Sequence, residues 1–305
     1  MRQKFRMVLA VGSAAALLAL AACGGSDDSS DPLSANNNSG EVTVGSANFQ
    51  ENVLLGEIYA QALEAKGVKV KRQLNIGSRE VIYKQIEKGS LTVLPEYNGA
   101  LLTYLDKTAD ASSKDAVDAA LKTKIASSLE LLDSSSAEDK DSLVVTKATA
   151  SKYNLKTVED LKAVAGKLSV GGPPEFKTRT QGLLGLKSQY GVVFKTFTSL
   201  DTAGPITVSA LKKGQVDVAD LFSTDPAIVE NDFVVLDDTK TLFGAQNVVP
   251  LVYKAGVDSK ATDALNAVSA KLDTSTLAKL MKEVVSDKKD ADVVAKEWLS
   301  SAGLS

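Results

Sequence analysis

From residue 41 onward, the sequence alternates short apolar segments with longer segments of helical periodicity, and this alternation restricts the fold more than any other feature. Segments 42–44, 68–74 and 91–94 have the length and apolar content of β-strands. Segments 50–66 and 78–87, which lie between them, carry apolar residues at helical spacing, and a glycine follows each. Strands that alternate with helices in this way are typical of α/β proteins.

The second half of the chain repeats this alternation. Thr157 and Asp160 have the spacing of a capping box at the start of a helix. The tail over residues 258–299 is predicted to be helical, with Trp298 packing the last helix onto the body. Two α/β units and a helical tail indicate two lobes, with ligands bound at the carboxyl ends of strands and at helix N-termini. The predicted strands are 142–146, 168–170, 194–197, 216–221, 232–236 and 247–254, and the predicted helices are 157–164 and 206–213.

The N-terminal segment has the features of a secretory signal peptide. Basic residues precede an apolar run over residues 7–22, which is shorter than the about 20 residues of a membrane-spanning helix. Cys23, the only cysteine, ends a Leu-Ala-Ala-Cys sequence that resembles the bacterial lipobox, which implies that Cys23 is lipidated. Residues 26–40 are rich in Ser, Asp and Asn and predict a flexible segment. We therefore predict a signal peptide over residues 1–22 and a lipidated flexible tether over residues 23–40.

The composition argues against several classes of site. The chain contains no histidine, which removes Ser-His-Asp and Cys-His catalysis and most zinc sites. It has neither a Walker loop nor a GxGxxG fingerprint. The formal net charge is −3, and no basic block of the kind that binds nucleic acid is present. We therefore predict a protein that is not an enzyme and has no metal, cofactor or nucleic-acid partner, although composition leaves carboxylate-pair and Ser-Lys catalysis open.

Several short motifs occur in order along the predicted mature chain, and together they resemble the substrate-binding proteins of osmoprotectant ABC importers, the glycine betaine/choline/carnitine type. The motifs are VGSANFQE at 44–51, PEYNG at 95–99, KYNLKT at 152–157, PEF at 174–176, GQVDV at 214–218 and FSTD at 222–225. The resemblance implies a type II periplasmic-binding-protein fold, an α/β fold in which two mixed sheets are joined by two crossing strands and close around a ligand. It places lobe one at residues 41–140 plus 250–305 and lobe two at residues 141–249.

The resemblance also assigns residues to a ligand pocket. Members that bind betaines surround the quaternary ammonium with tyrosine rings, whose faces attract a cation, and hold the carboxylate with an arginine. Tyr97 and Phe222 fall on cage tyrosines, although a phenyl ring lacks the hydroxyl, and Arg179 falls on the arginine. Simpler interpretations stay open: Tyr97 packed at a strand end, Phe222 in the core and Arg179 on a solvated turn.

The pocket departs from the family pattern at several positions. Asp141 stands where a cage tyrosine is expected at the first crossing, and Gln246 stands in place of an aromatic segment at the second. Ala47 and Ala100 replace a lysine and a threonine. Asp141 either pairs with a ligand cation or is a solvated loop charge. Gln246 and Asn48 would add hydrogen bonds that suit a more polar solute.

Ser78 completes the predicted pocket. It opens a helix beside Gly77 and either presents its hydroxyl and nearby N–H groups to the cleft or serves only as the N-cap. The predicted ligand-binding set is Asn48, Ser78, Tyr97, Asp141, Arg179, Phe222 and Gln246.

The predicted function is the capture of a small quaternary-ammonium or zwitterionic solute, such as glycine betaine, choline, carnitine or ergothioneine. The resemblance implies delivery to an ABC permease by a monomer that is lipid-anchored at the extracytoplasmic face of the cell membrane. Two alternatives stay open. The first keeps the importer role with a neutral polar or aromatic ligand, and the second is a sensing or scaffold lipoprotein.

Overall fold

The computed structural model describes residues 40–109 and 113–305. The predicted signal peptide, Cys23 and all but the last residue of the predicted tether lie outside the described residues. Within the described ranges, no helix combines the length and the apolar character needed to cross a bilayer.

The strands of the described residues form two sheets of five strands each. They are β1 (Glu41–Ala47), β2 (Lys69–Gly77), β3 (Val93–Tyr97), β4 (Leu129–Leu131), β5 (Asp141–Val145), β6 (Ser169–Gly172), β7 (Thr196–Ser199), β8 (Val218–Phe222), β9 (Val234–Val235) and β10 (Val248–Tyr253).

The first sheet has the order β2-β1-β3-β10-β4, and the second has the order β7-β6-β8-β5-β9. In the first sheet β1 runs parallel to β2 and β3, whereas β10 runs antiparallel to β3 and β4. In the second sheet β6 runs parallel to β7 and β8, whereas β5 runs antiparallel to β8 and β9. Both sheets are therefore mixed, and the predicted two-lobed α/β fold class is confirmed.

Helices pack on both sheets. They are α1 (Gln50–Ala65), α2 (Arg79–Glu87), α3 (Asn98–Leu105), α4 (Lys114–Lys124), α5 (Lys147–Tyr153), α6 (Leu183–Gly185), α7 (Pro205–Lys212), α8 (Pro226–Glu230), α9 (Ser259–Lys271), α10 (Thr274–Val285) and α11 (Ala291–Ala302). The helix predicted at 157–164 is a 3-10 helix over Val158–Ala163, and it begins with the predicted capping box of Thr157 and Asp160.

The hydrophobic core is divided between the lobes. In lobe one, α1 buries Leu54, Ile58 and Leu63 completely, because strands and other helices pack around most of its circumference. Trp298 of α11 joins the same cluster, as predicted, and is 8% exposed. A separate cluster in lobe two surrounds Val170 of β6. Each lobe thus buries its own apolar residues, which leaves the cleft between them to be lined by other groups.

Two chain segments cross between the sheets and pair with each other. Glu138 and Asn247 form an isolated antiparallel bridge. The backbone N–H of Asp139 donates to the carbonyl of Gln246 at 3.1 Å, next to this bridge. β5 begins at Asp141, where lobe two was predicted to start, whereas β10 begins at Val248, two residues before the predicted boundary at 250.

The structure differs from the predicted elements most between β3 and β5 and in the C-terminal tail, and it also contains α5, α6 and α8, which were not predicted. The stretch between β3 and β5 contains α3, α4 and β4, none of which was predicted. The tail is divided into three helices, and new N-caps at Asp258, Asp273 and Asp290 mark where they begin. Asp258 and Asp273 accept a hydrogen bond from a backbone N–H of the first turn of α9 and of α10, whereas the side chain of Asp290 makes no such bond at α11. The cap at Asp273 starts a new helix within a segment that apolar periodicity alone would continue.

Candidate functional site

One cleft between the two lobes brings all of the predicted ligand-binding residues together. The lining residues are Ala47, Asn48, Phe49, Asn52, Ser78, Arg79, Ile82, Pro95, Glu96, Tyr97, Ala100, Asp139, Asp141, Pro173, Glu175, Arg179, Thr202, Phe222 and Gln246. Their role in ligand binding stays a prediction.

The strand order explains why these distant residues meet. Asn48 follows β1, Ser78 follows β2 and Tyr97 ends β3, and these strands run parallel in the first sheet. In the second sheet, Phe222 ends β8 and Arg179 lies beyond β6. The carboxyl ends of parallel strands share one sheet edge, and the two edges face each other across the cleft.

Three aromatic rings form one wall of the cleft. The ring of Phe49 lies 6.0 Å from that of Tyr97 in lobe one and 5.0 Å from that of Phe222 in lobe two, measured between centroids. Phe222 therefore lies in the cleft rather than in the core of lobe two. Phe49 was not predicted to be in the site, although it directly follows Asn48 in a motif that the sequence had singled out.

Tyr97 is buried, with 5% of its surface exposed, and its hydroxyl donates to Oε1 of Glu51 at 2.7 Å. Tyr97 therefore has the burial and the bonded hydroxyl expected of a tyrosine packed at a strand end, and it also lines the cleft. Burial raises the pKa of Tyr97 well above its usual value, and the charge of Glu51 adds to the shift. Tyr97 therefore keeps its proton and remains a donor to Glu51.

Glu51 belongs to a buried carboxyl pair that links the lobes. The hydroxyl of Thr224 in lobe two lies 2.6 Å from Oε2 of Glu51 and 3.0 Å from Oδ1 of Asp139. Burial raises the pKa of Glu51, although its hydrogen bonds with Thr224 and Tyr97 oppose the shift. Burial and the nearby Glu51 raise the pKa of Asp139 well above its usual value. The raised pKa values of Glu51 and Asp139 both favour a carboxyl pair that retains a proton.

Arg79 is held inside lobe one by Glu96. The guanidinium donates to Oε1 of Glu96 at 3.0 Å and to Oε2 at 2.8 Å, and the side chains are 12% and 2% exposed. Burial opposes the positive charge, but Glu96 outweighs it and raises the pKa of Arg79. Neither residue is in the predicted ligand-binding set, although Arg79 follows Ser78, and Glu96 precedes Tyr97 in a segment that was a candidate for the cleft.

Arg179 reaches across the cleft to Glu80 in lobe one. Its Nε donates to Oε1 of Glu80 at 3.1 Å, and its Nη2 donates to Oε2 at 3.0 Å. The side chains are 28% and 37% exposed, so this residue is not on a fully solvated turn. The bidentate pair joins the lobes in the conformation that the structure describes.

Asp141 lies at the start of β5, partly buried, with Oδ2 accepting from Nε2 of Gln246 at 3.3 Å. It is therefore a cleft residue rather than a solvated loop charge. Burial raises its pKa, whereas Arg179, the bond from Gln246 and Arg79 lower it. The neighbouring Asp220 is buried, one of its carboxyl oxygens has no partner, and burial and Asp141 raise its pKa well above the usual value.

Asn48 and Ser78 stand at the mouth of the cleft. Asn48 is exposed, and its backbone N–H donates to the carbonyl of Gly77 at 3.2 Å. Ser78 is the N-cap residue of α2, but its side chain makes no capping hydrogen bond. Its hydroxyl is therefore not committed to the backbone of that helix, which leaves its predicted contact with the cleft open.

The described residues provide no evidence for a metal centre, because they contain no cluster of three or more Asp, Glu or Cys side chains placed to hold an ion. The cleft instead combines aromatic faces, paired arginines and carboxylates. This combination suits the recognition of a small charged organic solute.

Comparison with known proteins supports this interpretation. Residues 40–301 match the family described as the substrate binding domain of ABC-type glycine betaine transport systems. The chain is 28% identical over 278 residues to the glycine betaine-binding protein YehZ of Escherichia coli, covering 86% of this chain and 90% of that protein. It is 26% identical over 268 residues to the carnitine transport binding protein OpuCC of Listeria monocytogenes, covering 85% of each. The crystal structure of a glycine betaine/carnitine/choline ABC transporter protein superposes with a TM-score of 0.66 at 25% identity, covering 86% of this chain and 99% of that one.

Proposed function

Because this chain belongs to the family of substrate-binding domains of ABC-type glycine betaine transport systems, we propose that it captures a small solute with a quaternary ammonium group between its two lobes. The family supplies extracytoplasmic substrate-binding components of ABC transporters rather than enzymes, in agreement with the predicted class. The ligand is either a simple cation or a zwitterion, as in glycine betaine and carnitine.

The observation that carries this proposal is the group of three rings in the cleft. Phe49 stands between Tyr97 and Phe222, with centroid distances of 6.0 and 5.0 Å. A quaternary ammonium cannot donate a conventional hydrogen bond, so ring faces are the groups best suited to attract it. The rings come from both lobes, and a cation bound against them would therefore favour the closed arrangement.

Capture requires the lobes to close around the solute, and polar contacts between the lobes support this step. Arg179 binds Glu80 across the cleft, and Thr224 binds Glu51. The paired crossing segments near Glu138 are a suitable hinge, since they connect the two sheets. The closed, loaded protein would then deliver its solute to the permease in the membrane.

The attachment to the membrane is proposed from the sequence. Lipidation of Cys23 would anchor the chain at the extracytoplasmic face, and the polar residues before 40 would act as the tether. A monomer is sufficient for this role, because one chain carries a complete cleft.

A neutral polar or aromatic solute is the second candidate, and one observation favours it. Asp141 and Gln246, which are hydrogen-bonded to each other, stand where aromatic cage positions were expected, so part of the cleft wall is polar. Such a wall can hydrogen-bond hydroxyl or amide groups of an uncharged ligand.

A thermal-shift screen of the full-length chain in a non-ionic detergent distinguishes these candidates. The panel holds choline, glycine betaine, carnitine, ergothioneine, proline, neutral sugars and phenolics. A ligand that binds the folded state stabilises it by about 2.7 kcal/mol at about 100 times its Kd. We expect a concentration-dependent rise in Tm with at least one quaternary ammonium compound. A rise in Tm with neutral compounds alone would show that the ligand is a neutral solute and not a quaternary ammonium compound. The absence of a rise with any compound would favour the sensing or scaffold alternative.

A further inference from the structure

Both arginines among the described cleft-lining residues are already bound to glutamates. The first pair, Arg79 and Glu96, lies within lobe one and is nearly buried, at 12% and 2% side-chain exposure. Removing one partner of such a pair leaves the other charge without compensation in a poorly solvated place. A ligand carboxylate could therefore bind Arg79 only by displacing Glu96 at considerable cost.

The second pair, Arg179 and Glu80, spans the cleft. Two donor–acceptor contacts of 3.1 and 3.0 Å give it the bidentate geometry that a ligand carboxylate would otherwise adopt with Arg179. Burial opposes ionisation of Glu80, but Arg179 outweighs it and lowers the pKa of Glu80 to about 2. Glu80 therefore remains an anion at physiological pH and continues to compete for Arg179.

The remaining ionisable groups of the cleft wall are acidic. Asp139, Asp141 and Glu175 line the cleft, and no lysine does so within the described part of the chain. Burial raises the pKa of Asp139 and of Asp141, although both arginines oppose the shift at Asp141, and neither carboxyl group can supply a positive charge. An incoming carboxylate would therefore find no unpaired cation to bind, whereas a ligand of net positive charge needs none.

We propose that the cleft selects quaternary ammonium alcohols of net positive charge over zwitterions that carry a carboxylate, and that Glu80 determines this selection by occupying Arg179. The inference rests on the function proposed above and narrows its ligand class. Glu80 acts as the anionic partner that the carboxylate of a zwitterion would have to supply.

The polar end of such an alcohol has neutral partners in the same cleft. Asn48 lines it with a side-chain amide that can donate to and accept from a hydroxyl, and Gln246 offers its amide oxygen as an acceptor. Gln246 is fixed by its bonds to Asp141 and to the carbonyl of Phe243, at 3.3 and 2.9 Å. A hydroxyl therefore finds hydrogen-bonding groups here without the need for a positive charge.

Isothermal titration of the full-length chain in a non-ionic detergent tests the selection directly. Choline and glycine betaine share the trimethylammonium group and differ at the end that carries a hydroxyl or a carboxylate. We expect choline to bind at least roughly tenfold more tightly, which is the ratio that a difference of about 1.4 kcal/mol produces. Equal or tighter binding of glycine betaine would overturn the inference and leave the proposed function intact. Binding of neither compound would overturn the inference, and the proposed function would then be decided by the other quaternary ammonium compounds of the thermal-shift panel.

The role of Glu80 is tested by Glu80→Gln, with Glu64→Gln as the matched control. Glu64 forms a similar bidentate pair with Arg72 on the outer face of lobe one. We expect Glu80→Gln to release Arg179 and to shift the choline-to-betaine affinity ratio roughly tenfold towards betaine. The control should keep the wild-type ratio. An unchanged ratio in a folded Glu80→Gln variant, or the same shift in Glu64→Gln, would overturn the role assigned to Glu80.

Discussion

Phe49 occupies a central position in the cleft, because its ring lies against one aromatic ring from each lobe. Only Asn48 separates it from β1, and α1 begins at the next residue, so regular structure lies close on both sides of it. A ring held in this way is already oriented before a cation arrives. This orientation reduces the entropy that binding would otherwise cost.

Replacing this ring tests its contribution to binding. We expect Phe49→Leu to weaken the binding of a quaternary ammonium ligand by about 1–2 kcal/mol through lost cation–π attraction, as measured by isothermal titration. Phe233→Leu, which changes a ring packed within lobe two, serves as the control and should leave the affinity unchanged. Equal affinities of wild type and Phe49→Leu would remove Phe49 from the site.

A second prediction at this scale concerns pH. Asp225 caps α8 by accepting from the N–H of Ala227 at 2.8 Å. Burial raises its pKa to about 6, and the nearby Glu230 and Asp201 add to the shift, whereas the cap opposes it. The folded state therefore binds a proton more tightly than the unfolded state between about pH 4 and 6. The stability that Asp225 contributes is complete below about pH 4 and is lost as the pH rises through about 6.

Asp225→Asn removes this titration and keeps a good capping residue. Urea unfolding from pH 4 to 7 should show the variant losing less stability than the wild type, by an amount on the order of 1–3 kcal/mol. Parallel stability profiles for the two proteins would contradict the raised pKa of Asp225.

At the scale of elements, helix caps determine where the C-terminal tail is divided. Asp258 begins α9 by accepting from the N–H of Ala261 at 2.8 Å, whereas Asp290 stands at the same position of α11 without a side-chain cap bond. Asp258 therefore caps its helix with a side-chain hydrogen bond and Asp290 does not, although the two residues occupy equivalent positions.

This difference predicts unequal effects of removing each carboxylate. Asp258→Ala should lower the free energy of unfolding by about 1 kcal/mol, and Asp290→Ala should change it by less than about 0.5 kcal/mol. Chemical denaturation of both variants measures this. If Asp290→Ala lost more stability than Asp258→Ala, the cap bond of Asp258 would not explain the difference between the two positions.

Elements with clear periodicity were predictable, and those without it were not. The strands that position the site carry apolar residues at alternating or adjacent positions, and their carboxyl ends indicated where Asn48, Ser78 and Tyr97 would meet. α3 begins with Asn98 and Gly99, a pair typical of turns, and α4 buries only Val117 and Leu121. β4 spans three residues, too few for a pattern.

The side-chain pairs across the cleft could not be predicted from the sequence, for another reason. Arg179 and Glu80 are 99 residues apart, and their contact depends on how the lobes close rather than on any local pattern. The motifs therefore placed Arg179 in the cleft but could not identify its partner. Phe49 was missed although its neighbour was chosen, because adjacency in sequence does not reveal which side chain turns inward.

On the scale of the whole molecule, the closed arrangement depends on contacts between lobes that have separate cores. Thr224 donates its hydroxyl to the Glu51–Asp139 pair, and Thr103 donates to Oε1 of Gln181 at 2.9 Å. Both contacts join the two lobes, whereas the apolar cores lie within the separate lobes. The balance between open and closed states is therefore set by a few polar contacts and by the ligand.

Thr224→Val tests this balance. It removes the hydroxyl at Glu51 and should weaken ligand binding by about 1–3 kcal/mol, since a buried carboxyl loses its donor in the closed state. Thr207→Val, which removes a hydroxyl bonded to Asp201 within lobe two at 2.7 Å, should lower stability without this loss of affinity. Small-angle scattering should show a larger radius for Thr224→Val at equal ligand concentration. Identical affinities and radii in the two variants would contradict a role for Thr224 in closure.

The central claim is that the cleft between the lobes binds a quaternary ammonium group against its three rings. A crystal structure of the chain soaked with saturating choline tests it most directly. We expect the choline nitrogen to lie within about 6 Å of the ring centroids of Phe49, Tyr97 and Phe222. Choline bound elsewhere, or a cleft that stays empty at saturation, would contradict the binding of a quaternary ammonium group at these rings.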